Sequence, residues 1–225
     1  MAHNHGVAGE WARVKGAITG LWPAFIGVFF MGASVSVWIF ADAGWGAACT
    51  VISLLWVGVS FYKGARRIES FYKGARGEEK VAGILRSFSR DYHVFNDFVA
   101  NGWHVDHVVV GPTGVYAVET KNWKGRVTEE DGHILVDGHL PSRPPLTQVI
   151  KEAQCVKSTL AKAGWTGDVT PILAFASDTF TARIAEIGGV VVINSCELKR
   201  SFDSGRVVLS AAEIERLVGL MEAMR

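Results

Sequence analysis

Charge is almost missing from one long stretch of the chain. Between Lys15 and Lys63 lie 47 residues that carry a single charge, Asp42. A surface helix of an ordinary globular protein needs a polar face at every turn, so that assignment is excluded here. Cysteine is scarce too. Cys49, Cys155 and Cys196 are the only three, with no CxxC pair. This excludes a disulfide scaffold or a cysteine-rich zinc module and suits a reducing compartment. Global charge is absent: formal net charge is +1 and the pI is near 7.8. The chain's overall field therefore does not drive it onto a polyanion, and any such attraction must be local. No GxxxxGK[ST] phosphate loop and no GxSxG elbow occurs. NTP hydrolysis and serine-hydrolase chemistry lose their usual supports.

The uncharged stretch breaks at "ADAGWG" into residues 21–41 and 45–62. At a rise of about 1.5 Å per residue, each run can cross a hydrocarbon core of about 30 Å. Trp22, Trp38, Trp45 and Tyr62 fall near the ends, where amphipathic rings settle. Gly32, Ala33, Ser34 and Ser36, with Gly46, Ala47 and Ala48, are small enough for close helix contact. Arg13 and Lys15 precede the runs and Lys63, Arg66 and Arg67 follow them. The positive-inside rule then gives a multi-pass hairpin in the cell (inner) membrane with both termini cytoplasmic. Its partners are the lipid bilayer and, through the hairpin, a second copy in a homo-oligomer. A cleaved signal peptide would leave the second run as a lone anchor of inverted topology. A buried soluble hairpin is the other alternative, and the length of the uncharged run argues against it.

The expected division is a tail at 1–18, a transmembrane hairpin at 19–62, a basic linker at 63–76 and a globular domain at 77–225. The tail reads as mobile, with His3 and His5 solvated. "FYKGAR" occurs at 61–66 and again at 71–76, each copy with a helix-weakening glycine. Residues 63–90 hold eight Lys/Arg against three Glu. Such stretches commonly anchor to anionic lipid, and a collar attracting a polyanion is the other reading.

From Gly77 the spacing is helical: Val81, Ile84, Leu85 and Phe88 follow i, i+3, i+4, i+7. Glu78 shares the stripe of Val81 and Leu85, whereas Glu79 points away. Strands are expected at 92–98, 103–110, 114–121, 169–176 and 188–195, and a hairpin around Asp131–Gly132. Helical spacing returns at Val149, Ala153, Val156 and Leu160, and again over 210–224 with Ser210 as N-cap. That order predicts an α/β layer fold: a mixed sheet flanked by helices, preceded by the hairpin.

"GPTG" at 111–114 turns strand 103–110 directly into strand 114–121. A symmetric turn pairs Val110 with Val115 and Val108 with Ala117, which sets Asp106 opposite Glu119. Period-two alternation then places Asp106, Glu119 and Lys121 on one face. Opposed carboxylates repel, so one takes a proton or a cation sits between them. A hard divalent ion, Mg²⁺ or Mn²⁺, suits carboxylate oxygens plus water, and Lys121 could orient the attacking water or stabilise developing phosphoryl charge. The plainer alternative makes Asp106 a cap near Gly102 and Glu119–Lys121 a surface ion pair. His104 shares the Asp106 face and His107 the other, so a zinc site with several converging histidines is not expected.

"GARGEEKVAGIL", "VFNDF", "VDHVVVGPTGVYAVETKNWKG" and the glutamine of "PLTQVIKEAQ" together resemble the nuclease-related domain (NERD). That family is placed in the PD-(D/E)xK restriction-endonuclease-like fold. The resemblance spans about residues 74–176. It implies Asp106 and Glu119 as metal ligands, Lys121 as the catalytic lysine, and Glu78 and Gln148 as supporting site residues. It also implies Mg²⁺-dependent hydrolysis of phosphodiester bonds, with DNA as the substrate. The proline of the PD motif is absent, since Val105 precedes Asp106. Lys124 and Arg126 would contact nucleic-acid phosphates, and Trp123 either stacks on a base or packs under its loop. The alternatives are a non-catalytic module that recruits nucleic acid or protein to the membrane and an assembly scaffold.

Overall fold

The structure, a computed structural model, describes residues 1–224. It divides into two compact units: residues 10–75, and residues 1–9 together with residues 76 onward.

The first unit is a helical hairpin. α1 (Glu10–Phe40) and α2 (Ala43–Arg86) contain the two apolar runs, and both are long and apolar enough to cross a membrane. The one charge of the stretch works as a helix cap. Asp42 Oδ1 accepts from the backbone N–H of Gly44 (2.8 Å) and Trp45 (3.1 Å) at the start of α2. Ala12, Gly16, Gly20, Ala24 and Gly27 form the buried stripe of α1. A side chain at Gly16 would meet Phe71, one at Gly20 would meet Ile68, and Gly64 lies against the Gly20 backbone. The contact therefore falls mostly earlier in α1 than the expected Gly32–Ser36 group. Of that group Ser34 is buried, and its hydroxyl meets Thr50 Oγ1 at 2.8 Å. Gly32 has open space around it.

Pro23 lies inside α1 and has no N–H to give the Thr19 carbonyl. Arg67 Nη1 donates to that oxygen instead, at 3.2 Å. The basic segment expected as a linker is helical, because α2 runs unbroken to Arg86. Glycine in the first FYKGAR copy does not end the helix, because Gly64 is where α1 packs.

In the second unit, β1 (His3–His5), β2 (His93–Ala100), β3 (Trp103–Gly111) and β4 (Gly114–Lys121) lead to a small hairpin, β5 (Val127–Glu130) and β6 (His133–Val136). Asp131 and Gly132 both take positive φ (50° and 76°), as a tight primed turn requires. Then come α3 (Pro145–Lys162), β7 (Val169–Phe175), β8 (Ile184–Ile187), β9 (Val190–Asn194), a 3₁₀ turn, α4 (Leu198–Asp203) and α5 (Ala211–Ala223). Ser210 and Glu213 cap α5 reciprocally. The seven-stranded mixed sheet has the order β1-β2-β3-β4-β7-β9-β8, antiparallel through β2–β4 and parallel through β4, β7 and β9. This is the expected α/β architecture, a mixed sheet flanked by helices. Val108, Val110, Val115 and Ala117 pack one face against Val156 and Leu160 of α3 and Leu217 and Met221 of α5. Val109, Val118 and Ile172 pack the other against Val81 and Leu85 of α2 and Phe202 of α4.

The N-terminal residues are not a free tail. β1 pairs in parallel with the edge of β2, His3 opposite His93. Asn96 Nδ2 donates to Asn4 Oδ1 (2.8 Å), and the Asn96 oxygen meets His107 Nδ1 (2.8 Å). Burial holds the His107 pKa down to about 3, so it stays neutral in this network.

Candidate functional site

β3 and β4 pair in the register that the turn implies: Val110 with Val115, Val108 with Ala117, His107 with Val118. There the ladder stops. The Asp106 carboxylate replaces the next backbone acceptor, taking the Thr120 N–H at 2.8 Å. Asp106 thus reaches across to β4 beside Glu119 rather than standing straight out from the pleat.

β2 breaks its alternation at the same level. Phe95 and Phe98, three apart, enter one core, and Asp97 between them takes φ 52°. A non-glycine residue in the left-handed region is strained by about 1 kcal/mol or more. By continuation of the β2–β3 register, Asp97 lies across from Asp106. His104 Nε2 approaches Asp97 Oδ1 at 3.4 Å.

On β4, Glu119 is 4 % exposed and Lys121 Nζ donates to its Oε1. Lys121 also donates to Gln148 Oε1 at 3.0 Å. α3 supplies Gln148 and, one turn on, Glu152, which is 1 % exposed. Gln148 Nε2 donates to Glu152 Oε1 at 2.8 Å. Glu152 therefore fixes which way the amide points, with its oxygen toward Lys121.

Glu78 arrives on α2. Gly77 lets the helix come close, since a Cβ there would sit 2.6 Å from Asn122 Cβ, just past β4. Gly77→Val should push the helix off the strand end, lowering the melting temperature and moving Glu78 from its neighbours. Thermal unfolding in parallel with the activity assay described below checks this.

Four carboxyl groups, those of Glu78, Asp106, Glu119 and Glu152, thus crowd around one ammonium, and Asp97 acts on Glu78 from beside them. Burial lifts the Glu152 pKa to about 9, with the Glu119 charge adding to it. Burial, then Asp97 and Glu119, raise Glu78 to about 7. Asp106 is pushed well up by burial and by Glu119, Glu78 and Glu152. Burial works against the Lys121 charge, yet the Glu119 carboxylate holds its pKa above the ordinary lysine range. Acids crowded and desolvated in this way keep protons unless positive charge is brought in.

Of the sequence-predicted residues, Glu78, Asp106, Glu119, Lys121 and Gln148 come together. Lys124 and Arg126 are exposed on the segment that leaves β4. Trp123 packs on Phe175, ring centroids 5.7 Å apart, in the under-loop position. His104 and His107 diverge as alternation requires. Two further residues of the site, Glu152 and Asp97, break the local sequence patterns. Glu152 sits at i+3 from Val149 and i−4 from Val156, on the apolar stripe itself. Asp97 is the second of two polar residues between Phe95 and Phe98, a break in period two.

Residues 73–176 match the nuclease-related domain family. The match runs from the stretch of α2 that brings in Glu78 through β7, and so includes all the residues of the acidic cluster. No curated protein and no solved structure matches the chain.

Among the described residues, no three His, Cys, Asp or Glu side chains form the cage of a metal site. The donor set still fits a hard divalent ion of the Mg²⁺ type, which takes one or two carboxylates and completes its shell with water. Asp106 and Glu119 are the residues that would supply those carboxylates. Glu152, buried beside Glu119 with its pKa lifted to about 9, keeps a proton until positive charge is brought in.

Proposed function

We propose that this chain is a membrane-tethered, Mg²⁺- or Mn²⁺-dependent nuclease that hydrolyses phosphodiester bonds in DNA. The observation that carries the reading is the excess of buried carboxyl groups around Lys121, inside the nuclease-related match. Asp106 and Glu119 would hold the ion, which when bound polarises the phosphate and acidifies a water. The rest is done by the chain. Glu119 and Gln148 aim the Lys121 ammonium, which orients the attacking water and meets the charge gathering on the phosphate. Glu78, with a pKa of about 7, exchanges a proton at neutral pH. Lys124 and Arg126 neutralise flanking phosphates.

Pairing of β1 with β2 supports the tether. The chain before α1 and the chain after α2 meet in one sheet, so the apolar helices between them cross a bilayer twice or not at all. With Arg13, Lys15, Lys63, Arg66 and Arg67 flanking the runs, two crossings with a cytoplasmic globular unit is the arrangement we favour.

The test is cleavage of single- and double-stranded DNA by the full chain with Mg²⁺, with Mn²⁺ and with EDTA. Wild type should cut only with the divalent ions. Glu119→Ala should reduce the rate by at least about a hundredfold, because it removes a ligand and frees Lys121. Near-burial of Glu119, already ion-paired, favours a second reading as a non-catalytic module that recruits nucleic acid to the membrane. DNA binding without cutting under either metal would select that reading.

A further inference from the structure

The helical hairpin carries a groove that the nuclease reading does not use. On α1, Thr19, Pro23, Ile26, Phe30, Ala33 and Val37 line two cavities of about 220 and 470 Å³. On α2, Arg67, Lys63, Ser60, Trp56, Ser53 and Cys49 line the same two. Both sets step by four and three residues alternately, so each stays on one helix face. Trp56 belongs to both cavities, and its Nε1 donates to Pro23 O at 3.0 Å at their junction. The two cavities therefore adjoin at Trp56 and follow one groove of the hairpin. From Thr19 to Val37 it runs about 27 Å at 1.5 Å per residue.

Its ends differ chemically. Lys63 and Arg67 stand at one end with the Thr19 carbonyl that Pro23 leaves without its helical donor, and among the described residues no acidic side chain lines that end. Lys63 and Arg67 lie just past the 45–62 apolar run, at headgroup depth. The rest of the groove is apolar and lies at acyl-chain depth, walled by Trp56, Ile26 and Phe30. We infer that this groove binds one acidic phospholipid, its phosphate held by Lys63 and Arg67 and an acyl chain lying along Trp56, Ile26 and Phe30. Charge complementarity selects the acidic headgroup, and the length of the apolar part selects a lipid tail over a small anion. The inference rests on the membrane reading of α1 and α2.

Membrane integration is tested first, by alkaline carbonate washing; release of the chain would overturn the membrane reading and this inference with it. The full chain in detergent is then titrated with phosphatidylglycerol, phosphatidylcholine and inorganic phosphate, with retention read by native mass spectrometry. Phosphatidylglycerol should be retained about tenfold better than phosphatidylcholine, and Lys63→Ala with Arg67→Ala should remove the preference. Ala33→Phe, which fills the apolar part without changing charge, should lower phosphatidylglycerol retention. Arg66→Ala is the control, since Arg66 stacks over Tyr62 at 4.7 Å outside the groove and should change nothing. Four results would overturn the inference for an integrated chain. They are equal retention of the two lipids, an Arg66→Ala effect as large as the double variant's, displacement of lipid by inorganic phosphate alone, and a dimer that fills the groove without lipid.

Discussion

Lys121→Ala should lower divalent-dependent DNA cleavage by about a hundredfold to a thousandfold, the range for losing one preorganised charge aimed at a transition state. The side chain is held at two points, Glu119 Oε1 and Gln148 Oε1, so its ammonium is placed before substrate arrives. Little of its stabilisation is then spent on ordering a flexible stem. Removal also leaves Glu119 nearly buried without its counter-charge. A buried carboxylate stripped of its partner costs about 3–5 kcal/mol if it stays ionised, and less once it takes a proton. The variant should accordingly melt lower without divalent ion and recover part of that loss with it, since ligand binding to the folded state stabilises by mass action. Lys121→Arg keeps the charge but not the compact three-donor head, and should recover folding more than cleavage. Rates and melting temperatures measured on the same preparations separate the two effects. Wild-type cutting by Lys121→Ala would remove the lysine from the mechanism.

The site was readable in the sequence to the extent that it follows from local rules. A two-residue turn at Pro112–Thr113 sets the β3–β4 register, and the register sets Asp106 beside Glu119. Helical spacing brings Glu78 inward with Val81 and Leu85 and turns Glu79 outward. What stayed hidden depends on contacts between distant segments. Nothing in "HNH" marks an edge strand, because its pairing with β2 is made by backbone groups and by Asn96, some ninety residues on. Nor does the sequence show that α2 continues from the hairpin into the globular unit. Glycine weakens an isolated helix there, whereas in the fold Gly64 and Gly77 mark close approaches. Alternation stands Asp106 on the pleat, yet its carboxylate takes the place of a ladder acceptor at Thr120. Alternation alone cannot foresee that substitution. Glu152 is hidden for the same reason: an acid inside an apolar stripe breaks the pattern, and what explains it is Gln148 and Lys121 beside it.

Glu152→Gln should make the chain more stable at pH 8 and remove much of the pH dependence of its stability without divalent ion. Glu152 titrates near its ordinary value of 4.5 when unfolded and at about 9 in the fold. Between those values the folded state keeps a proton that the unfolded state has released. Stability therefore falls as pH rises through that window, by up to about 1.4 kcal/mol per pH unit for this group. Glu78 adds to the slope over the lower part, up to about 7. Glutamine at 152 mimics the protonated acid: it stays neutral at every pH, and its oxygen can still accept from the Gln148 amide. The variant should thus match wild type near pH 5 and exceed it at pH 8 by on the order of a few kcal/mol. Mg²⁺ should flatten the wild-type slope, because a cation favours the ionised acids, and should affect the variant less. Thermal unfolding of both chains from pH 5 to pH 9, with EDTA and with Mg²⁺, reads all of this. Parallel stability curves for the two proteins in EDTA would mean that Glu152 is already ionised in the fold. The crowded acids around Lys121 would then be compensated in some way other than by a retained proton.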